Sequence, residues 1–451
     1  MQAIKNYFNS GATKSYEFRK QQLSLLQSTI KKYESEISEA LYQDLGKSKA
    51  EAYITETGMV LTEIRLMLKD LKKWMQPKSV ATNLMNLPSK SKIYYDPLGV
   101  VLIISPWNYP FQLLFTTLAG AIAGGNCVVL KPSEYTPATT AITEKIIHEI
   151  FDTNYIRVVT GDGAVVVPEL MNEFRFDHVF FTGSIAVGKA VYQLAAKDLV
   201  PVTLELGGKS PCVIEADANL KVAAKRIAIG KFLNAGQTCI APDYLLIHES
   251  VKDRFLDFLK ESIATFYTNE AATSEDYGRI INTKRFETLV SYLQQGTIIY
   301  GGKYNKESLF IEPTILDNVN INSAVMMEEI FGPVLPVFTF NTKAEAVELI
   351  NKNPNPLSFY VFTSSIEKEE NWLQTIPFGG GCINNTVYHF ANDNLHFGGI
   401  GNSGIGSYHG KQSFYTFTHA KPVMKTPTWM DPAIKYPPFK NKLKWIKLLL
   451  R

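Results

Sequence analysis

The chain has 451 residues, of which 45% are hydrophobic and 20% charged. This is an ordinary globular composition, and the length is sufficient for two or more domains of ~100–200 residues each. The net charge of +3, from 46 basic and 43 acidic residues without a dense basic stripe, argues against nucleic acid as a partner.

The predicted elements begin with apolar residues at helical spacing over residues 16–75, which indicate a helical N-terminal layer. After a polar break at 77–88, continuous apolar strands alternate with helices. The predicted strands are 100–105, 127–131, 155–161, 178–183, 201–206, 244–249, 331–340 and 358–364, and the predicted helices are 115–123, 136–151, 219–234, 251–267 and 343–350. Thr136 and Pro137 are good start signals for the second of these helices.

This alternation predicts an α/β protein with mostly parallel sheets covered on both faces. Because the alternation begins again after Glu205, we expect two α/β units in tandem with a ligand crevice between them. The C-terminal segment is proline-rich and ends in the sequence FKNKLKWIKLLLR. The favoured interpretation is a loosely attached tail, and the alternative is a short basic, apolar foot on a membrane surface.

The four cysteines, at positions 127, 212, 239 and 382, lie far apart in the sequence. They form no CxxC pair and the histidines form no HExxH motif, so we expect neither a disulfide framework nor a metal site. The N-terminus lacks the apolar core of a signal peptide, and no stretch approaches the ~20 apolar residues of a membrane span. The sequence therefore predicts a cytoplasmic protein with free thiols.

The segment FLNAGQTCIAPDY (232–244) is the strongest local signal for chemistry. Cys239 follows a predicted helix and a Gly-Gln-Thr turn, and small residues beside it would let another molecule approach the backbone. A single cysteine is more often an inert buried residue. A nucleophilic thiol needs partial exposure and help to ionise.

Two further polar residues follow apolar strands. Glu205, in VTLELGGKSP, is either a solvated strand-end acid or a half-buried general base with a raised pKa. Asn108, in IISPWNYPFQL, is either a turn-forming residue or a side-chain donor of an oxyanion hole, together with the Cys239 backbone N–H.

A dinucleotide site is indicated without the usual GxGxxG motif. The segment TGDGAVV (160–166) has Val166 in the third glycine position, so we do not favour it as a pyrophosphate cradle. In FFTGSIAVGKA (180–190), an apolar strand leads into a helix start whose N–H groups could hold phosphate oxygens. Lys131 and Glu134, in LKPSE, could bind ribose hydroxyls, and surface charge is the alternative for both.

Seven segments together resemble the aldehyde dehydrogenase superfamily in their order along the chain. They are ISPWNYP, LKPSE, FTGSIAVGK, LELGGKSP, GQTCIAPDY, EEIFGPVLPV and FGGIGNSGIGSYHGKQSFYTFTH. The resemblance covers roughly residues 5–425. The short N-terminus, GQTCIAPDY and GIGSYHGKQSF are similar to the class 3 group, which includes fatty and aromatic aldehyde dehydrogenases.

The resemblance implies Cys239 as nucleophile, Glu205 as general base and Asn108 as oxyanion donor, with no metal. It implies NAD, with NADP as the alternative cofactor. The implied cofactor contacts are Ser105, Trp107, Lys131, Glu134, Gly183, Ser184, Ile185, Ala186, Val187, Gly188, Leu206, Gly207, Glu329 and Phe331. Relatives often read GST in the phosphate turn; Ile185 removes that hydroxyl here, and we expect backbone contacts to compensate.

The resemblance also implies a fold of two doubly wound parallel-sheet domains, Rossmann-like and catalytic, with a small β arm for oligomerisation. The implied domains are a cofactor domain at 1–78 and 97–206, a catalytic domain at 207–408, an arm at 79–96 and 409–428, and a tail at 429–451. We expect a homodimer, as is usual for class 3 relatives.

The expected reaction is NAD(P)-dependent oxidation of an aldehyde through a thiohemiacetal and a thioester on Cys239. Water activated by Glu205 would hydrolyse the thioester. Tyr109, Tyr388 and Phe397 could line a tunnel for medium- or long-chain aliphatic or aromatic aldehydes, although core packing is the more common role for such side chains. The alternatives are a CoA-dependent acyl-transferring dehydrogenase, a cysteine esterase and a non-enzymatic binding protein.

Overall fold

The computed structural model describes residues 1–268 and 270–450. The helices are α1 (Gln2–Asn9), α2 (Tyr16–Lys32), α3 (Glu34–Leu45), α4 (Lys49–Ala52), α5 (Gly58–Trp74), α6 (Pro110–Gly124), α7 (Pro137–Ile150), α8 (Gly163–Glu173), α9 (Ile185–Ala196), α10 (Leu220–Phe232), α11 (Lys252–Phe266), α12 (Thr283–Tyr292), α13 (Ala324–Met327), α14 (Lys343–Asn351), α15 (Ile366–Thr375), α16 (Lys411–Thr416) and α17 (Leu443–Leu449). A π-helical turn spans Tyr53–Thr57, and 3₁₀ turns span Leu84–Asn86, Leu233–Gly236, Glu249–Val251, Tyr388–Ala391, Gly401–Ser403 and Ala433–Lys435.

The strands form two large sheets and two small ones. They are β1 (Lys78–Val80), β2 (Lys90–Pro97), β3 (Val100–Ile104), β4 (Cys127–Lys131), β5 (Ile156–Val158), β6 (His178–Thr182), β7 (Val202–Glu205), β8 (Pro211–Ile214), β9 (Tyr244–His248), β10 (Thr297–Tyr300), β11 (Tyr304–Asn305), β12 (Phe310–Ile311), β13 (Thr314–Asp317), β14 (Val334–Phe340), β15 (Ser358–Phe362), β16 (Gly380–Ile383), β17 (Gly404–Ile405) and β18 (Thr418–Lys425). The mixed α/β architecture with parallel sheets confirms the predicted fold class.

The first large sheet has the strand order β17-β7-β6-β3-β4-β5. Its strands are parallel except for β17, which pairs antiparallel with β7. Every residue of β3 and β4 is buried, because helices cover both faces of the sheet. The carboxyl ends of β3, β4, β6 and β7 meet at one edge, where ligands of open α/β sheets bind.

The second large sheet has the order β10-β13-β14-β9-β8-β15-β16, and its pairs are parallel except for β10 with β13. It encloses a separate hydrophobic core. The segment 206–210 joins the carboxyl end of β7 to the amino end of β8. The crevice therefore lies between the carboxyl edge of the first sheet and the amino edge of the second.

A three-stranded antiparallel sheet, β1-β2-β18, forms the arm. The arm strand at the C-terminal side begins at Thr418, later than the expected boundary at 409. Residues 411–416 instead form α16, which packs on α5 and α6 and places Phe414 in the first core. The segment 411–416 thus packs against the first core, and the predicted domain boundaries stay a prediction.

The predicted start of α7 and the C-terminal tail can both be compared with the structure. Pro137 opens α7 as predicted, but the side chain of Thr136 makes no capping bond and its hydroxyl donates to the Ser133 carbonyl at 3.4 Å. In the C-terminal tail, large apolar side chains are exposed, including Trp429, Leu443 and Trp445. Among the described helices, none is long and apolar enough to cross a membrane.

Candidate active site

A cavity of about 890 Å³ opens between the two units. Twelve of the predicted site residues lie in its wall, namely Trp107, Asn108, Gly183, Ser184, Ile185, Ala186, Glu205, Leu206, Gly207, Cys239, Glu329 and Phe331. The other five, Ser105, Lys131, Glu134, Val187 and Gly188, lie outside that wall. The structure thus brings the three predicted catalytic side chains to one space.

The loop that carries Cys239 is held by backbone geometry and by one glutamine. After α10 ends, Asn234 and Ala235 adopt left-handed conformations with φ of 53° and 51°. Gly236, with φ of 76°, packs so closely that a Cβ would lie 2.3 Å from the Gly332 carbonyl oxygen. The Gln237 amide donates to the carbonyls of Asn234 (3.1 Å) and Arg279 (2.9 Å). Strained backbone fixed in this way is typical of functional sites.

The Cys239 thiol is partly exposed and faces the cavity, which meets the requirement for a nucleophile. Burial raises its pKa above the ordinary value, and the nearby carboxylates of Glu329 and Glu205 raise it further. The backbone N–H groups of Cys239 and Ile240 act in the opposite sense. The thiol is therefore protonated at neutral pH until a base removes the proton.

Glu205 ends β7 and is 2% exposed. Among the described residues, neither carboxylate oxygen has a hydrogen-bond partner. Burial therefore raises the pKa of Glu205 well above its ordinary value. Of the two sequence alternatives for Glu205, the solvated strand-end acid is wrong, because Glu205 is a desolvated carboxylate that borders the cavity.

Asn108 lies in the loop between β3 and α6, is buried, and directs its amide toward the Cys239 loop. One Nδ2 hydrogen bond goes to the Gln237 carbonyl at 3.0 Å. An amide carries two N–H donors, so a second donor remains for a ligand. The neighbouring Tyr109 hydroxyl lies 2.5 Å from the Thr238 hydroxyl, which ties the two loops together again.

The helix start after β6 fits a phosphate group. The first N–H groups of a helix lack partners within the helix. The Ser184 hydroxyl accepts from Val187 N at 3.4 Å, while Ile185 and Ala186 border the cavity. Gly188 lies behind them, because a Cβ there would come within 2.5 Å of Leu206. Ile185 is the first residue of α9, and its side chain offers no hydroxyl at this helix start.

Glu329 and Phe331 approach the same space from the second unit. The Glu329 carboxylate abuts Gly207, where a Cβ would lie 1.8 Å from Oε2, and its Oε1 has no partner among the described residues. Burial and the nearby Asp243 raise the pKa of Glu329 to about 8. Phe331 has a φ of 47°. Its ring packs edge to face on the Trp107 ring, with 5.2 Å between the ring centres.

Lys131 and Glu134 form a separate polar corner at the end of β4. The Lys131 ammonium donates to Glu134 at 2.9 Å, and Gly163 N donates to the other carboxylate oxygen at 3.1 Å. Although burial alone raises the pKa of Glu134, these two donors hold it below its ordinary value. The segment 160–166, which the sequence did not favour as a phosphate cradle, thus serves to anchor this carboxylate.

Comparisons with known proteins agree with this geometry. A model of the aldehyde dehydrogenase family matches residues 1–423. The 4,4'-diaponeurosporen-aldehyde dehydrogenase of Staphylococcus aureus (strain NCTC 8325 / PS 47) is 49% identical over 449 residues, 99% of this chain and 97% of that protein. The dimeric NADP-preferring aldehyde dehydrogenase of Canis lupus familiaris is 41% identical over 445 residues, 98% of each. A solved substrate-bound state of Staphylococcus aureus AldH has a TM-score of 0.97 at 48% identity, covering 100% of this chain and 98% of that one.

The chain belongs to the aldehyde dehydrogenase family. The predicted family and enzyme class are confirmed, and the activity is the NAD(P)-dependent oxidation of an aldehyde. Solved relatives of this fold include complexes with NADP and with NAD⁺. Among the described residues of this aldehyde dehydrogenase, no cluster of ligands could hold a metal ion.

Several residues that shape this aldehyde dehydrogenase's site were missed from the sequence. Lys47, Glu51 and Glu56 are buried beside the loops of Asn108 and Cys239. Arg285 donates to the Glu329 carbonyl at 3.1 Å and also to that of Ile330. Their sequence signal was a charge within or beside a helical stretch, which is indistinguishable from a charge on an exposed helix face.

Proposed function

We propose that this enzyme oxidises apolar aldehydes to carboxylic acids, with Cys239 as nucleophile, Glu205 as general base and Asn108 as oxyanion donor. The observation that carries the proposal is the meeting, in the wall of one cavity, of a partly exposed thiol and a buried carboxylate that has no hydrogen-bond partner in the described part of the chain. A desolvated carboxylate without a partner is costly to a fold, and such groups cluster at functional sites.

The first half of the reaction forms an acyl-enzyme. Ionised Glu205 is a stronger base than an ordinary glutamate and takes the proton of the Cys239 thiol. The sulfur attacks the aldehyde carbon, and the negative charge that develops on oxygen is held by the Asn108 amide and the Cys239 N–H. The carbonyl re-forms as the C–H bond breaks, which leaves a thioester on Cys239.

The cofactor supplies the oxidising chemistry, since a bound nicotinamide accepts the two electrons and the hydrogen of that C–H bond. The chain's own residues fit such a group. The start of α9 suits a pyrophosphate, the Lys131–Glu134 corner suits the adenosine ribose, and the unpartnered Glu329 oxygen suits the hydroxyls of the second ribose. Trp107 and Phe331, whose rings meet in the cavity wall, would border a bound nicotinamide.

The second half hydrolyses the thioester. Glu205 first releases the thiol proton to solvent and then takes a proton from a water molecule, whose oxygen attacks the thioester carbon. The carbon–sulfur bond breaks, the carboxylic acid is released, and Glu205 returns its proton to the Cys239 sulfur. Cysteine suits this step because a thioester forms readily at a nucleophilic sulfur and remains hydrolysable. Glu205 must be ionised for both halves, so its raised pKa makes turnover rise with pH through that pKa.

The proposed substrates are medium- or long-chain aliphatic or aromatic aldehydes. Tyr109, Tyr388 and Phe397 all lie in the cavity wall, together with apolar residues such as Leu113 and Phe390. An apolar wall with a few convergent polar groups is typical of small-molecule sites and favours apolar ligands. The relative from Staphylococcus aureus is named for a 4,4'-diaponeurosporen-aldehyde.

We further propose a homodimer in the cytoplasm. The arm exposes apolar side chains on several of its segments, including Val80, Leu84, Val423 and Met424, which would pack against a second copy. The canine relative is named dimeric. A nucleophilic thiol must stay reduced, and the reducing cytoplasm meets that requirement.

The test is aldehyde-dependent NADH formation in Cys239→Ser. We expect turnover to fall by at least ~10³-fold, because a serine hydroxyl is a far weaker nucleophile at neutral pH. Cys382→Ser is the matched control, since Cys382 is also partly buried but lies outside the cavity wall, and we expect normal turnover. Near-normal turnover of Cys239→Ser would end the proposal, and product formation that requires CoA would assign an acyl-transferring enzyme instead.

A further inference from the structure

Lys47 and Glu56 form a fully buried ion pair behind the Asn108 loop. The Lys47 ammonium lies 2.5 Å from Glu56 Oε1, and both side chains are 0% exposed. Such a pair is costly to bury, and an apolar pair of similar volume would often stabilise a fold as well or better. Its placement beside catalytic loops therefore calls for a reason other than stability.

Glu56 acts on the helix that begins directly after Asn108. Its Oε2 accepts hydrogen bonds from the backbone N–H groups of Phe111 (3.1 Å) and Gln112 (2.7 Å), in the first turn of α6. Tyr109, the residue before that helix, makes no side-chain capping bond. Glu56 therefore replaces the missing cap from a distant segment, and its negative charge suits the positive end of the helix dipole.

Lys47 acts on Asn108 itself. Its ammonium donates to the Asn108 carbonyl at 3.0 Å and lies 4.1 Å from the centre of the Tyr109 ring. The same carbonyl accepts a second bond from the Asn234 amide at 2.8 Å. Two donors on one carbonyl fix the plane of the peptide that follows Asn108, and with it the direction of the Asn108 side chain.

The same N-terminal segment also holds the loop of the nucleophile. Glu51 Oε1 accepts from the backbone N–H of Asn234 at 2.8 Å, where the chain is left-handed. Residues 47–56 thus contact both loops that supply the oxyanion donors, one through Lys47 and Glu56 and the other through Glu51. The spacing between the two donors depends on this segment.

We propose that the buried Lys47–Glu56 pair is a positioning device that aims the Asn108 amide at the oxyanion of the reacting aldehyde. Neither residue lies in the cavity wall, so both act through Asn108 and the start of α6. The inference rests on the proposed role of Asn108. A shift of about 1 Å in such a group can cost roughly 10²-fold in rate, which sets the expected size of the effect.

The experiment measures the rate of the NADH burst, which reports acyl-enzyme formation, in Lys47→Met, Asn108→Ala and the double variant. We expect Lys47→Met to slow the burst roughly 10²-fold, with the dissociation constant for NAD changed less than about twofold. In the Asn108→Ala background, we expect Lys47→Met to slow it no further, because residues that act as one unit are non-additive. Lys252→Met, which breaks the half-buried pair with Asp317 in the second unit, is the matched control with a normal burst.

A normal burst in folded Lys47→Met, or the same loss in both backgrounds, would overturn the positioning role. If Lys47→Met fails to fold, the apolar pair Lys47→Met/Glu56→Leu takes its place, since such pairs often restore stability. We expect it to fold and still give a slow burst, because the Asn108 carbonyl keeps only the Asn234 donor and the first turn of α6 loses its acceptor; a normal burst would refute the proposal. An unaffected burst in Asn108→Ala alone would instead refute the proposed oxyanion donor.

Discussion

Glu205 and Glu56 are both buried carboxylates near the same catalytic centre, but their surroundings are opposite. Glu56 accepts hydrogen bonds from the Lys47 ammonium and from two backbone N–H groups, whereas Glu205 accepts none from any described residue. Burial raises the pKa of both groups, and only at Glu56 does a neighbouring cation, Lys47, oppose the rise.

The difference separates a carboxylate that holds structure from one kept ready for chemistry. A fully partnered charge is fixed in place and cannot exchange protons with a substrate without breaking its bonds. An unpartnered charge is destabilising, but it is free to accept a proton. The contacts of Lys47, Glu51 and Glu56 hold the surrounding loops in place. Because these contacts stabilise the strained site, it can tolerate Glu205 without a hydrogen-bond partner among the described residues.

The largest expected effect is on turnover in Glu205→Gln. A general base contributes typically ~10²- to 10⁴-fold, so we expect steady-state NADH formation to fall by that factor. An amide cannot take a proton from the Cys239 thiol or from water, so the pre-steady-state burst should slow together with the steady rate. Rapid-mixing measurement of NADH checks this. An unchanged steady rate would show that another group serves as base.

The second effect is on stability, where the two carboxylates should behave in opposite ways. Glu56→Gln leaves the Lys47 charge buried without its partner, and we expect a loss of about 3–5 kcal/mol in the free energy of unfolding. Glu205→Gln should not destabilise. Because the folded-state pKa of Glu205 is raised, its favourable contribution is complete below the unfolded-state pKa and is lost as pH rises through the folded-state pKa.

Denaturant unfolding of both variants and the parent at low, neutral and high pH checks this contrast. Glu205→Gln should match the parent at low pH, where Glu205 is neutral, and should exceed it increasingly at high pH, where the parent carries an unpartnered charge. A Glu205→Gln protein that is less stable than the parent at high pH would mean that Glu205 has a stabilising partner after all.

The fold class followed from local patterns in the sequence, and these patterns also offered Cys239, Glu205 and Asn108 as candidates, to which the family resemblance assigned the proposed catalytic roles. The strands β3, β4, β6 and β7 are continuous apolar runs. Glu205 ends β7, and Asn108 lies in the loop that follows β3. Because carboxyl ends of parallel strands meet at one edge, local patterns sufficed to bring these residues together.

The supporting contacts could not be predicted in the same way. Lys47 and Glu56 are nine residues apart, and neither shares a helical face with Asn108, so no periodicity links them. Thr136 had the right identity and place for a cap but lacked the bond, because side-chain direction depends on tertiary contacts. Similarly, α16 joins the first core through Phe414, a long-range contact that a boundary read from sequence cannot reveal.

The smallest expected effect concerns Glu134, a carboxylate intermediate between the two extremes. It is partly exposed, bonded to Lys131 and Gly163 N, and its lowered pKa keeps it charged at neutral pH. A 2′-phosphate near it would be repelled by about 1 kcal/mol at 4 Å in water. We therefore expect Glu134→Gln to raise the ratio of kcat/KM for NADP over NAD by about fivefold, with little change in aldehyde KM.

Glu173→Gln, at the exposed end of α8, is the control and should leave the ratio unchanged. If Glu134→Gln and the parent had the same NADP-to-NAD ratio of kcat/KM, the Glu134 carboxylate would not face the ribose. Its two hydrogen-bond partners would then indicate a structural role like that of Glu56.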